Sequence, residues 1–299
     1  MVVAPIPRRD QIPRGIMFMI ASTILFSGVN AVVKWEVAAY PVGEVAFLRS
    51  AFGLLPLYAI IFSSAGLAAV LRTARPWGHV KRALSQFVSQ MAMFLALSVM
   101  PLASAVAISF AAPLFTTLLS IVILKEKVGR HRWSALAAGF VGVLLITHPG
   151  AGSFNIGVVF ALTNAVMIST VAIAIRRMST TESTETLAFY QLTLITLFNA
   201  CLLPFGFTMP SWTDFGLLAF AGVGNGIAQY WWTKALHLAP PSAITPFNYL
   251  SLVWASIIGF AIWGDVPTQM LVAGAVVVVA SGLYILWRET VRSREPLPS

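Results

Sequence analysis

Cysteine is nearly absent from this chain: there is one, Cys201, inside an apolar run. A lone thiol excludes an intrachain disulfide and offers no metal cluster. Charge is scarce as well. Only 10% of the 299 residues are charged against 58% hydrophobic, and the mean hydropathy is +0.85. A soluble domain is about 25% charged, so this chain lacks the polar surface to keep its apolar residues in water and is expected to sit mostly in lipid. The ten acidic residues and four histidines all fall at or beyond the ends of the apolar runs. No carboxylate is therefore expected mid-membrane to relay a proton. No His/Cys/Asp group has metal spacing, and no Ser/His/Asp set shares a depth suited to hydrolysis. The expectation is of no catalytic residue, no metal and no cofactor, and of facilitated flux, or coupling by a route the sequence does not mark, rather than an obvious proton relay.

Long apolar runs are what the chain has in quantity. A bilayer-spanning helix needs ~20 mainly apolar residues. Ten such runs lie at about 14–34, 42–64, 82–99, 102–124, 133–147, 156–176, 186–204, 214–236, 241–263 and 269–287. Prolines and glycines mark the joints, including Pro41, Pro76, Pro101, Pro149-Gly150, Pro210, Pro240-Pro241 and Pro267. The fold expected is all-α and integral to the membrane. No small-residue cleavage site follows the first run, so that run is read as retained. Of the 19 basic residues, 17 fall in one alternate set of loops and termini, from Arg8 and Arg9 to Arg292 and Arg294. Only Lys34 and Arg49 lie toward the other side. By the positive-inside rule the rich side is cytoplasmic, with both termini inside. The net charge of +9 is thus a matter of topology, and no nucleic acid is expected as a partner.

The chain also resembles itself. Gly15 and Lys34 are spaced like Gly157 and Arg176; Glu44 aligns with Glu185, Ser104-Ala105-Val106 with Ser242-Ala243-Ile244, and Glu126 with Asp265. The offset drifts only from 142 to 138 residues. Two halves follow, 1–150 and 151–299, each of five spans. Because five is odd, the second half inserts upside down. Inverted-topology repeats mark secondary transporters, in which two halves rock about a midplane site.

The run ending "VVKW", the stretch "SAVAISFAAPLFTTLLSIVILKEK" and the "G-x-x-G" of the fifth span together resemble the EamA-type drug/metabolite transporters. The second half repeats the pattern as "SAITPFNYLSLVWASIIGFAIWGD", with Leu252 where Pro113 stands and Asp265 in place of Glu. Within that family the chain is most similar to the bacterial aromatic amino acid exporters of the YddG type. The resemblance implies a multi-pass protein of the bacterial inner membrane that exports amino acids or related metabolites. Other metabolites or cationic drugs are alternatives, and a membrane enzyme or a receptor-like protein without a pathway is the alternative of another class. Monomer and homodimer are both open.

Polar residues inside spans carry the functional reading. "SQFVSQ" holds Gln86 and Gln90, and "GNGIAQYWW" holds Asn225 and Gln229, at the same offset and the same i, i+4 spacing. Residues four apart share a helix face, and neutral amides both donate and accept, which suits a zwitterion. The competing reading is interhelical glue, worth about 0.6 kcal/mol on average per contact. Tyr230 is expected to share the cavity of Gln229. Asn248, Ser251 and Trp254 follow Pro246, which is expected to kink the ninth span; Ser109 and Pro113 play that part in the fourth. Asn30, Lys34 and Asn164 complete the candidate pathway, with two readings open for two of them: Asn164, a lone amide, fits interhelical glue equally well, and Lys34 fits the outer interface. Arg49 is expected instead to snorkel to the outer interface, paired with Glu44. The glycines Gly222, Gly224 and Gly226 resemble a phosphate loop only superficially, and read as close helix packing.

Overall fold

The computed structural model describes residues 12–64, 66, 70–124, 130–147, 155–178, 181–238 and 245–292. Arg8, Arg9, Lys125, Lys127 and Arg294 lie outside these residues, as do Glu126, Ser242-Ala243-Ile244 and the Pro149-Gly150 and Pro240-Pro241 joints. The described residues form eleven α-helices and two short 3₁₀ segments. The helices are α1 (Ile12–Glu36), α2 (Val42–Ser64), α3 (Pro76–Val99), α4 (Leu102–Ser109), α5 (Ala112–Leu124) and α6 (Arg130–Thr147). Then come α7 (Ile156–Met178), α8 (Thr184–Ala200), α9 (Trp212–Leu238), α10 (Leu250–Trp263) and α11 (Gln269–Arg292). No strand occurs among the described residues. Among the described residues five segments are long and apolar enough to cross a membrane: 12–36, 42–59, 102–119, 156–175 and 185–205.

Local chemistry sets the breaks. Met100 is extended, as a residue before Pro101 must be, and it ends α3. Phe110 and Ala111 interrupt the fourth apolar run, splitting it into α4 and α5; Pro113 just beyond has no N–H to return to Ser109. In the ninth run Pro246 lies in the 3₁₀ segment Thr245–Tyr249 that leads into the α-helix α10, so the described part of this run changes helix type just after the proline; what precedes Thr245 lies outside the described residues. Gly264, with φ 69°, closes α10 in the left-handed conformation that glycine adopts freely. Cys201 caps the C-terminal end of α8 and is exposed.

Packing is between helices distant in sequence. Helix α1 lies along α9, and α3 along α7; α2 packs on α9, and α3 on α8; α1 packs on α10, and α7 on α4 and α5. Helices α6 and α11 pair with each other. Glycines permit the closest crossings. A Cβ on Gly222 would stand 2.6 Å from the Arg49 carbonyl oxygen, and one on Gly274 the same distance from that of Gly142. Gly222 and Gly226 face α2, while Gly224 faces Leu25 and Val29 of α1. The three glycines therefore wedge α9 between its two neighbours, the packing role expected of them.

Both ends of the bundle carry loop-to-helix ties. At one end the Tyr40 hydroxyl donates to Asp214 (2.6 Å), and the Thr208 N–H donates to the fully buried Glu44 (2.9 Å). The carboxylate at Asp214 holds the Tyr40 hydroxyl above its ordinary pKa, because it accepts that proton's hydrogen bond. At the other end Glu182 accepts from the Thr73 hydroxyl (2.8 Å) and the Ala74 N–H (3.0 Å). His79, fully buried, stacks on Tyr190 with centroids 4.4 Å apart and lies 3.7 Å from Glu182.

Candidate functional site

Four helices, two from either side of the sequence midpoint, line the larger of two cavities, of about 440 Å³. Helix α2 contributes Arg49, Gly53, Leu57 and Ile61, and α3 contributes Gln86 and Gln90. Helix α8 brings Glu185, Gln191 and Ile195, and α9 brings Asn225, Gln229, Tyr230 and Lys234. The four amides sit in this one lining because each pair occupies consecutive turns of its helix and both helices turn that face inward. The cavity runs from Arg49, Gln90 and Asn225 toward Ile61, Glu185 and Lys234, where α2 ends and α8 begins. Lys34 donates to the carbonyls of Leu97 (3.3 Å) and Met100 (2.8 Å), satisfying acceptors that the end of α3 leaves free, and Trp35 packs on Trp263.

Electrostatically the cavity is unusual around Arg49. Arg49 does not snorkel to an interface and does not pair with Glu44. Its Nη1 donates to the Asn225 side-chain oxygen (2.9 Å), and its guanidinium carbon lies 5.0 Å from the centre of the Phe94 ring. The reason is geometric: α9 approaches α2 through Gly222 and Gly226, which brings Asn225 within reach. The Gln90 amide nitrogen is buried without a partner. At the mouth, Lys234 stands over Tyr230 (5.5 Å) and Phe18 (5.0 Å).

A second cavity of about 280 Å³ takes other residues of the expected pathway. Asn30, Asn248 and Ser251 line it, with Thr23, Ser27 and Trp232. Trp254 is not in this lining, although its indole N–H reaches Thr23 (3.3 Å). Phe110 and Tyr249, the residues at the two helix breaks, meet here with centroids 5.0 Å apart. The expected single pathway is thus divided between two cavities, on α2/α3/α8/α9 and on α1/α4/α9/α10.

Ser109, Asn164 and Lys34 line neither cavity. Asn164 of α7 accepts from Ser109 (3.0 Å) and donates to the Ser89 carbonyl and hydroxyl (2.9 Å each), tying α7 to α3 and α4. This geometry is that of glue. Asn164→Ala is expected to lower the melting temperature in detergent by a few degrees, from a loss of about 1 kcal/mol, and to leave solute flux within twofold. A flux loss of tenfold or more with unchanged stability would return Asn164 to the pathway. Among the described residues no group of His, Cys, Asp and Glu could hold a metal ion.

Comparison with known proteins places this geometry. The profile of the EamA-like transporter family matches residues 13–148 and again 155–287. The chain is 30% identical to a riboflavin transporter of Rhizobium johnstonii, over 94% of each chain. It is 26% identical to an S-adenosylmethionine uptake transporter of Rickettsia prowazekii, over 92% of this chain and 93% of that one. It is 28% identical to the pseudopaline exporter of Pseudomonas aeruginosa, over 91% and 95%. A protein crystal structure shares the fold with TM-score 0.61 at 20% identity, over 92% of this chain and 99% of that one.

Proposed function

This chain belongs to the EamA-like transporter family, a family of multi-pass membrane transporters, and we propose that it works as two inverted five-helix halves, 1–150 and 151–299. In this reading ten spans carry small amphipathic metabolites across the bacterial inner membrane by alternating access, with both termini cytoplasmic. Support for the two halves comes from packing. The pairs α1–α9 and α3–α7 exchange under the repeat, as do α2–α9 and α3–α8, and Phe110 meets Tyr249 at the matching helix breaks. The two separate matches to the family profile agree with this.

The observation that carries the solute class is the lining of the larger cavity, where amides from both halves stand among apolar side chains and beside Tyr230. Such a wall suits a solute with an apolar or ring-bearing body and several hydrogen-bonding groups. Aromatic and other neutral amino acids, moved outward, fit that description and fit the resemblance to the aromatic amino acid exporters. A second reading, riboflavin, is favoured by the name of the relative at 30% identity. The test is a time course of labelled phenylalanine, tryptophan, tyrosine and riboflavin in liposomes holding the purified protein, with and without a pH gradient. Flux of at least one solute well above that of empty liposomes is expected. Empty-liposome rates for all four would overturn the proposed solute class.

A further inference from the structure

We propose that Arg49 selects the solute of the larger cavity by binding an anionic group, a carboxylate or a phosphate, on its guanidinium. This rests on the transport reading above and adds to it the charge and orientation of the solute. Arg49 lies in the first third of α2, roughly 10 Å along the helix from Val42. A guanidinium at such a depth is costly unless its charge is answered. The partners it has are neutral: the Asn225 oxygen and the face of Phe94. Its Nε is buried with no partner. Among the described residues no carboxylate lies within ion-pair distance of it; Glu44, one turn and a half away, turns its oxygen to Thr208.

The remaining geometry points the same way. The cavity wall holds two cations, Arg49 and Lys234, against one carboxylate, Glu185, so its formal balance is positive. Glu185 and Lys234 stand together where α8 begins and α9 ends, while Arg49 lies at the other end of the lining, near the start of α2. The guanidinium offers a planar fork of donors that matches a carboxylate or phosphate with two parallel hydrogen bonds. Asn225 already holds one edge of that fork in place, which spares the solute the cost of ordering it. An anion bound there would leave the body of the solute along Gln86, Gln229 and the aliphatic residues of α2 and α8, pointing to the mouth. A neutral solute would leave the charge unanswered.

The test measures binding to the purified full-length protein in detergent by titration calorimetry. The probes are 3-phenylpropanoate, 3-phenylpropanamide, 3-phenylpropylamine and phenyl phosphate. At least one anion is expected to bind about tenfold or more tightly than the isosteric amide, with the amine weakest. Carboxylate and phosphate arms tell which anion is preferred. In Arg49→Gln the preference is expected to vanish, and in Arg49→Lys to survive in part. Equal binding of anions and amide to the unmodified protein, or no binding of any probe, overturns the proposal without need of a variant that folds. A preference that survives intact in Arg49→Gln overturns it too. Anion preference without liposome flux would sink the transport reading and leave the anion site standing; flux without preference would do the reverse.

Discussion

Gly222→Leu is expected to leave almost no assembled protein, seen as loss of the monodisperse peak in size-exclusion chromatography of the detergent extract. The first carbon added would lie 2.5 Å from Phe52 Cβ and 2.6 Å from the Arg49 carbonyl oxygen, both rigid parts of α2. Helix α2 cannot retreat easily, because its other side packs on α8. Even one inserted methylene in a tight core costs about 1–3 kcal/mol, and leucine adds four carbons. Gly222→Ala and Gly226→Ala should each lower the melting temperature by several degrees. Gly224→Ala should do less, since its Cβ would meet only side-chain ends at 3.3–3.4 Å. Gly216, with nothing within 4 Å, should accept alanine without loss. If Gly222→Leu purifies and melts like the parent protein, the crossing of α2 and α9 is not as described.

The second large effect is on transport. Asn225→Leu is expected to cut solute flux at least tenfold while the protein still folds. It removes the acceptor that orients Arg49 and leaves that charge with one partner fewer in a low-dielectric wall. The shape changes little, so assembly should survive. Unchanged flux in Asn225→Leu would refute the assignment of this wall to the solute. A labelling experiment checks the same wall independently. Cysteines placed at positions 86 and 225, in a Cys201→Ser background, should react with a water-soluble thiol reagent. The pure packing reading predicts no reaction at either.

How much of this was legible beforehand depends on the kind of residue. The amide pairs could be found because they break an apolar pattern with helical spacing, and because a constant offset relates them. Glycine packing in α9 was legible for a similar reason: closely spaced glycines in an apolar helix have few other uses. Arg49 was not. A cation several residues into a span reads as snorkelling, and its partner Asn225 lies 176 residues away, beyond anything that local spacing reports. His79 and Arg82, near the start of an apolar run, give no sign in the sequence of their burial, which comes from α8: His79 stacks on Tyr190 and Arg82 donates to the Leu187 carbonyl. For Asn164 the sequence left lining and glue equally open, because an amide in a span carries no mark of which way it faces. Only the approach of α3 and α4 shows that its hydrogen bonds are used up between helices.

The exposed position of Cys201 bears on how this protein is handled at the bench. With one thiol in the chain, outward-facing at a helix end, air oxidation can link two copies in only one way. A band at twice the monomer mass that disappears when reductant is added is then the Cys201 cross-link. It says nothing of whether the protein pairs in the bilayer, and a serine at that position removes the artefact before subunits are counted.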